Sequence, residues 1–227
     1  MSSLTRADLA LIFFYRFILL RNTDLTINLS ITLGQNDWQS LQAKQHRGIM
    51  SEINMLAVID TNYVKKALAG NYSKDPAHPK ETHFSGDFCY ILVNGEAVNK
   101  GQGNEYVDFN AKPGDIVKLR GTSIYGNSED AVIIYNVVRG VSETTNVFNR
   151  FVPNVITRSK AAVPDMTKSN GLPALYKPVN FTSFDAEVRT AGTEYFLIYF
   201  AIYQLASDGQ NQELVTYIQL DPTIRVA

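Results

Sequence analysis

The chain has 227 residues, 45% of them hydrophobic, and a formal net charge of -1. That length supplies one good core and makes one domain the expectation. Without a basic excess, nucleic acid is disfavoured as the main partner.

Twelve Tyr and twelve Phe, with frequent Val, Ile and Thr, point to strands rather than helices. Cys89 is the sole cysteine, which excludes an internal disulfide and a thiolate metal cluster. Its place in the run Phe88-Cys89-Tyr90-Ile91-Leu92-Val93 predicts a buried, inert thiol.

Residues 1–49 differ in character from the rest of the chain. Residues 9–20 are apolar apart from Arg16, but about twelve residues fall short of the roughly twenty that span a bilayer. Arg16 also interrupts any secretory h-region, and no small-x-small cleavage site follows promptly. Arg47-Gly48-Ile49-Met50 back-translates to AGR-GGN-AUH-AUG, which has the look of a bacterial ribosome-binding site ahead of a start codon. Translation is therefore expected to begin at Met50. Residues 1–49 would be a poorly structured, non-native upstream extension, and residues 50–227 a single β-sandwich domain.

From Met50 the sequence is globular in character. Residues 51–60 read as a first strand, and residues 60–69 as a short helix with Thr61 or Asn62 as N-cap and Gly70 as stop. Residues 71–86 hold Pro76, Pro79 and Gly86 and form a long loop. His78 and His83 lie in it without a third ligand beside them, and are expected to face solvent. Residues 87–93 are a strand, and Asn94-Gly95 ahead of Val98 suggests a hairpin. Gly101-Gln102-Gly103 lacks the third glycine of a phosphate loop and the helix after it, so it reads as a turn.

Lys112-Pro113-Gly114-Asp115 is a turn, and residues 106–109, 116–120 and 131–138 are strands. Residues 131–138 show no alternation, which predicts cover on both faces and a central place in a sheet. Residues 139–177 contain Pro153, Pro164, Gly171 and Pro173, with Pro178 just beyond. They are expected to be mainly irregular loop, extended only over residues 147–152; such long excursions tend to be functional or to join subunits. Residues 195–203 are apolar on both faces, Ser207-Asp208-Gly209 turns the chain, and residues 214–220 return as a partner strand. About eight closely spaced strands without strand-helix alternation predict an all-β fold: an antiparallel β-sandwich of jelly-roll type with at most one or two short helices.

The chain shows no G-x-S-x-G and no H-E-x-x-H, and nothing places a base beside a nucleophile. No catalytic residue and no enzyme activity are expected. Self-assembly or partner interaction fits the near-neutral charge and the long proline-rich excursion. A second reading is a calcium-dependent, lectin-like carbohydrate-binding module. Asp60, Asn62, Asn127 and Asp130 would offer the hard oxygen ligands that calcium takes, and Tyr125, Asn127, Glu129 and Asp130 would meet the sugar. Against it, turns collect Ser, Asn, Glu and Asp in any case, and no calcium-loop spacing is present. Arg120 either braces the sheet by pairing with Asp115 or a later carboxylate, or lines a pocket.

Several short motifs together resemble one family. They are Met55-Leu56-Ala57-Val58-Ile59-Asp60-Thr61, Asp87-Phe88-Cys89-Tyr90, Gly101-Gln102-Gly103, Gly114-Asp115-Ile116-Val117 with Arg120-Gly121-Thr122-Ser123, and Tyr217 followed by Asp221-Pro222-Thr223-Ile224. In this order and spacing the chain from about Met50 to its C-terminus resembles the AidA/PixA inclusion body proteins of Gram-negative bacteria. The resemblance implies a small cytoplasmic protein, often made in stationary phase or under cell-density control, sometimes accumulating as crystalline inclusions and sometimes linked to host interaction, with no established enzyme activity. A homo-oligomer or higher assembly is expected, with no cofactor and no membrane span. Methionine richness, described for the inclusion-forming member, is not matched, since this chain has four Met.

Overall fold

The computed structural model describes residues 50–82, 88–94, 97–140 and 146–227. The expected extension at residues 1–49 lies outside the described residues, as do His83, Asp87 and Gly95. In chain order the described elements are β1 (Glu52–Ile59), α1 (Thr61–Leu68), β2 (Lys80–Glu81), β3 (Cys89–Val93), β4 (Val98–Lys100), β5 (Tyr106–Phe109) and β6 (Ile116–Ser123). They continue with β7 (Ala131–Arg139), β8 (Val152–Val163), β9 (Leu175–Glu187), β10 (Gly192–Leu205), β11 (Gln212–Leu220) and β12 (Thr223–Val226).

The strands form two sheets. The first has the order β3-β1-β6-β9-β8; the second runs β2-β11-β10-β12-β5-β4, with β7 added to β10. Alternating residues of β1 (Ile53, Met55, Ala57, Ile59) and Val117 and Leu119 of β6 enter one core with Ile198, Phe200 and Ile202 of β10. This is the expected all-β, sandwich-like fold with a single short helix among the described residues. The sheets are mixed rather than purely antiparallel: β1 with β6, β12 with β5 and β11 with β2 are parallel pairs.

Local chemistry explains most of the joints. Asp60, one residue earlier than expected, caps α1 by accepting from the Tyr63 N–H at 3.0 Å. Ala69 takes the left-handed turn, φ 47°, that ends the helix. Gly101 sits at φ 83°, and a Cβ there would stand 1.9 Å from the Tyr106 carbonyl oxygen, so the residue must be glycine. The Gln102 amide beside it accepts from Val93 N at 2.9 Å and donates to Val93 O at 2.7 Å, closing the end of β3 as a further strand would. The expected hairpin after β3 does not form, because β3 bonds to β1 in the first sheet while β4 bonds to β5 in the second.

Two expectations are corrected. Residues 131–138 are not the central strand. β7 pairs only with β10, whose other side holds β11 and β12, so β10 is the centre. The unalternating run in β7 has a different cause: Ile134 pairs with Phe200 and Asn136 with Tyr199, so Tyr135 is a bulge residue, and Ile133 is half exposed.

Nor is the excursion at residues 139–177 mainly loop. β8 and β9 pair along residues 152–163 and 175–185 as a long antiparallel ribbon. Its prolines fall where strands admit them. Pro153 is on the edge strand, and Pro178 lies opposite Ser159 and Lys160 at the register shift between Arg158 and Ala161. β9 pairs with β6 from Leu119↔Phe184 to Ile116↔Glu187, and from Ser183 back to Leu175 it pairs among the described residues with β8 alone, so the ribbon leaves the sheet as an arm.

Candidate functional site

The loop cluster picked out by residue type is brought together. Asp130 is buried and accepts from the Thr61 hydroxyl at 2.6 Å and from Lys65 Nζ at 2.6 Å. Asn62 Nδ2 donates to the Tyr125 hydroxyl at 2.5 Å. Asn127 holds a left-handed φ of 64°, and its Oδ1 accepts from Ser123 N at 2.8 Å and Val132 N at 3.0 Å. With Asp60 committed to the helix cap, five of the six predicted side chains hold the β6–β7 loop and α1 in place. Glu129 remains exposed. Among the described residues no group of three His, Cys, Asp or Glu side chains is placed to hold a metal ion.

Arg120 does not meet Asp115. Its Nη1 donates to Asn54 Oδ1 at 2.6 Å, while Asp115 accepts from Ser51 N and Lys112 N. Arg120 also borders a cleft of about 530 Å³ that opens where β9 departs from β6. Leu119, Gly121, Ile134, Phe151, Val155 and Phe184 give this cleft its apolar wall. Gly121 lets Ile134 lie close there: a Cβ would come within 2.8 Å of Ile134 Cγ1 and push that side chain aside. No His, Cys, Asp or Glu lines the cleft, so it presents no side-chain general base and no thiol. Cys89 is buried, which raises its thiol pKa far above the usual range and keeps it protonated. His78 is exposed and paired with Asp75 at 2.7 Å.

The feature without an internal explanation is the arm. Met166 is 88% exposed, Tyr176 68%, Leu172 62% and Val155 60%, and Phe181 and Leu175 are exposed as well. An isolated two-stranded ribbon is marginally stable in water; alternation puts Leu175 and Phe181 on one of its faces and Tyr176 and Val155 on the other, so both faces carry exposed apolar side chains. Sequence reading missed it because prolines at residues 153, 164, 173 and 178 outweighed the β-formers Val155, Ile156 and Thr157 and, opposite them, Val179, Phe181 and Thr182.

Behind the arm an ion pair with a buried carboxylate fixes the chain that leads into β8. Glu194, 0% exposed, accepts from Arg139 Nε, from Val147 N at 2.8 Å and from Phe148 N at 3.1 Å. Arg139 also donates to Asn146 Oδ1 and to the Phe148 carbonyl. Phe148, Phe151 and Phe196 pack edge to face beside this pair.

The family model of the PixA inclusion body proteins matches residues 51–226. Among solved structures the fold is similar to the crystal structure of a PixA inclusion body protein from Burkholderia cenocepacia J2315. That match has 27% identity and a TM-score of 0.64, and covers 81% of this chain and 99% of that one. Comparison with curated protein sequences gives no match. Among the described residues no helix is long and apolar enough to cross a membrane.

Proposed function

The chain belongs to the PixA inclusion body protein family, and from that premise we propose that it is a non-enzymatic cytoplasmic protein that acts by self-assembly. The observation that carries this reading is the β8–β9 arm, with its exposed Val155, Leu172, Leu175, Tyr176 and Phe181. A ribbon of this kind gains little from its own fold and much from a surface that covers it. The cleft lends catalysis no support: its lining holds no His, Cys, Asp or Glu, and the Ser183 hydroxyl there is engaged in donating to Asp185 at 2.6 Å with no histidine beside it. A single buried, unpaired Cys89 suits a reducing compartment.

The test is light scattering of the full chain across a concentration series, beside Tyr176→Ser and Phe181→Ser. Burial of one such ring in a contact contributes about 1.5–3 kcal/mol, so each substitution is expected to weaken association by at least about tenfold. A wild-type chain that stays monomeric at every concentration overturns the proposal.

A further inference from the structure

We propose that the surface covering the arm is a second copy of this chain, in a two-fold pair where the basic arm of each copy lies on the acidic loop end of the other. This rests on the self-assembly reading and names its contact.

The first argument is charge. The arm, residues 154–183, carries Arg158, Lys160, Lys168 and Lys177 against Asp165 alone, and all four cations are exposed. Residues 50–227 as a whole have 16 basic and 19 acidic side chains, so outside the arm twelve basic face eighteen acidic. An arm of this sign seeks an acidic surface; Asp108, Asp115, Asp130 and Glu194 are buried, so the complementary surface has to be a local one.

The second is position. β9 runs antiparallel to β6 and leaves it at Leu119↔Phe184, so the arm continues past the C-terminal end of β6. At that end lies the loop of residues 124–130, and Gln212 ties it to the β10–β11 turn by donating to the carbonyls of Asn127 at 3.0 Å and Glu129 at 2.8 Å. Glu129, Asp208 and Glu213 are exposed there, with Ile124 and Leu205 as exposed apolar neighbours in sequence. Lysines stand near them as well: Lys65 is neutralised by buried Asp130, Lys74 donates to the Leu214 carbonyl, and exposed Lys66 follows Asn62 by one turn of α1, so three carboxylates face two uncompensated cations.

The third is symmetry. A two-fold contact needs both of its halves on one patch of one chain, so that each copy gives what the other receives. Arm and acidic loops share one end of the molecule and meet this condition. Residues 155–163 extend on the order of 30 Å at strand rise, enough to lie across a second copy. Pro178 and the bulge at Ser159 and Lys160 interrupt the arm's edges, so side chains rather than added strand pairing make the contact.

The experiment is sedimentation velocity on the full chain with two charge-reversed proteins, K160E/K177E and E129K/E213K. All four positions are exposed, so both proteins should melt as the wild type does. Each alone sets like charge against like charge, and its self-association is expected to fall by about 100-fold or more. Mixed in equal amounts, they offer an acidic arm to a basic end and a basic arm to an acidic end. The mixture is expected to associate within about threefold of the wild type. Unchanged self-association of either variant, or a mixture that does not recover, overturns the arm-to-loop contact while leaving self-assembly standing. A wild-type chain that never associates overturns both.

Discussion

Replacing Glu194 by Leu is expected to remove more stability than any other single change of a buried polar side chain in the described part of this fold. The carboxylate is fully buried and takes hydrogen bonds from Arg139, Val147 and Phe148. Without it a guanidinium loses its partner and two backbone N–H groups face a hydrocarbon. Arg139 is 35% exposed and keeps Asn146 and the Phe148 carbonyl, so the loss falls chiefly on the two orphaned backbone donors, at about 1–3 kcal/mol each, or about 3–5 kcal/mol together. For a domain of this size each kcal/mol moves the melting temperature by about 2–4 °C, so the fall should be roughly 6–20 °C by calorimetry or circular dichroism. Glu194→Gln keeps one acceptor oxygen and should lie between the two. The paired Arg139→Leu, Glu194→Leu protein should recover little of the loss, because the Val147 and Phe148 N–H groups still lack their acceptor. A fall under about 2 °C for Glu194→Leu would refute the reasoning, since the bonds would then contribute no more than an exposed pair.

Three further outcomes are expected from the same geometry. Gly101→Ala forces a Cβ against the Tyr106 carbonyl at a left-handed φ and should destabilise by roughly 2–4 kcal/mol, read from urea denaturation midpoints. Asp108 is held below the usual carboxylate range, first by the hydrogen bond from Asn99 and then by Arg225 at 2.7 Å. Its contribution is complete above the unfolded value of about 3.9 and is lost as pH falls through the lower folded value. Asp108→Asn should therefore flatten the acid limb of a stability-pH profile below about pH 4. Cys89, buried with its thiol pKa raised, should resist a thiol reagent in the native state and react at the rate of global unfolding.

The parts of the fold legible in the sequence are those where one local signal decides. β1, α1, β6, β10 and β11 stand close to where alternation, capping and continuous apolar runs put them. The Gly101-Gln102-Gly103 turn was readable for the same reason, although the role of the Gln102 amide against Val93 was not. What failed depends on partners distant in sequence. Whether residues 131–138 hold the centre or the flank of a sheet is set by β11 and β12 across β10, about eighty residues later. The arm was hidden because proline is disallowed in central strands but tolerated on edges and at bulges, and nothing local told which kind these were. In the loop cluster, residue type alone singled out Asp60, Asn62, Tyr125, Asn127 and Asp130, which bind one another or the adjoining backbone. It said nothing of their internal bonds, so structural roles and ligand roles looked alike.

Hydrogen exchange into the β8 and β9 amides, followed over a range of protein concentrations, tests the central claim most directly. If the arm is covered by self-association, amides of residues 155–163 and 175–183 exchange fast in dilute solution and become protected as concentration rises, while β1 and β10 stay protected throughout. Exchange in the arm that does not change with concentration would contradict it.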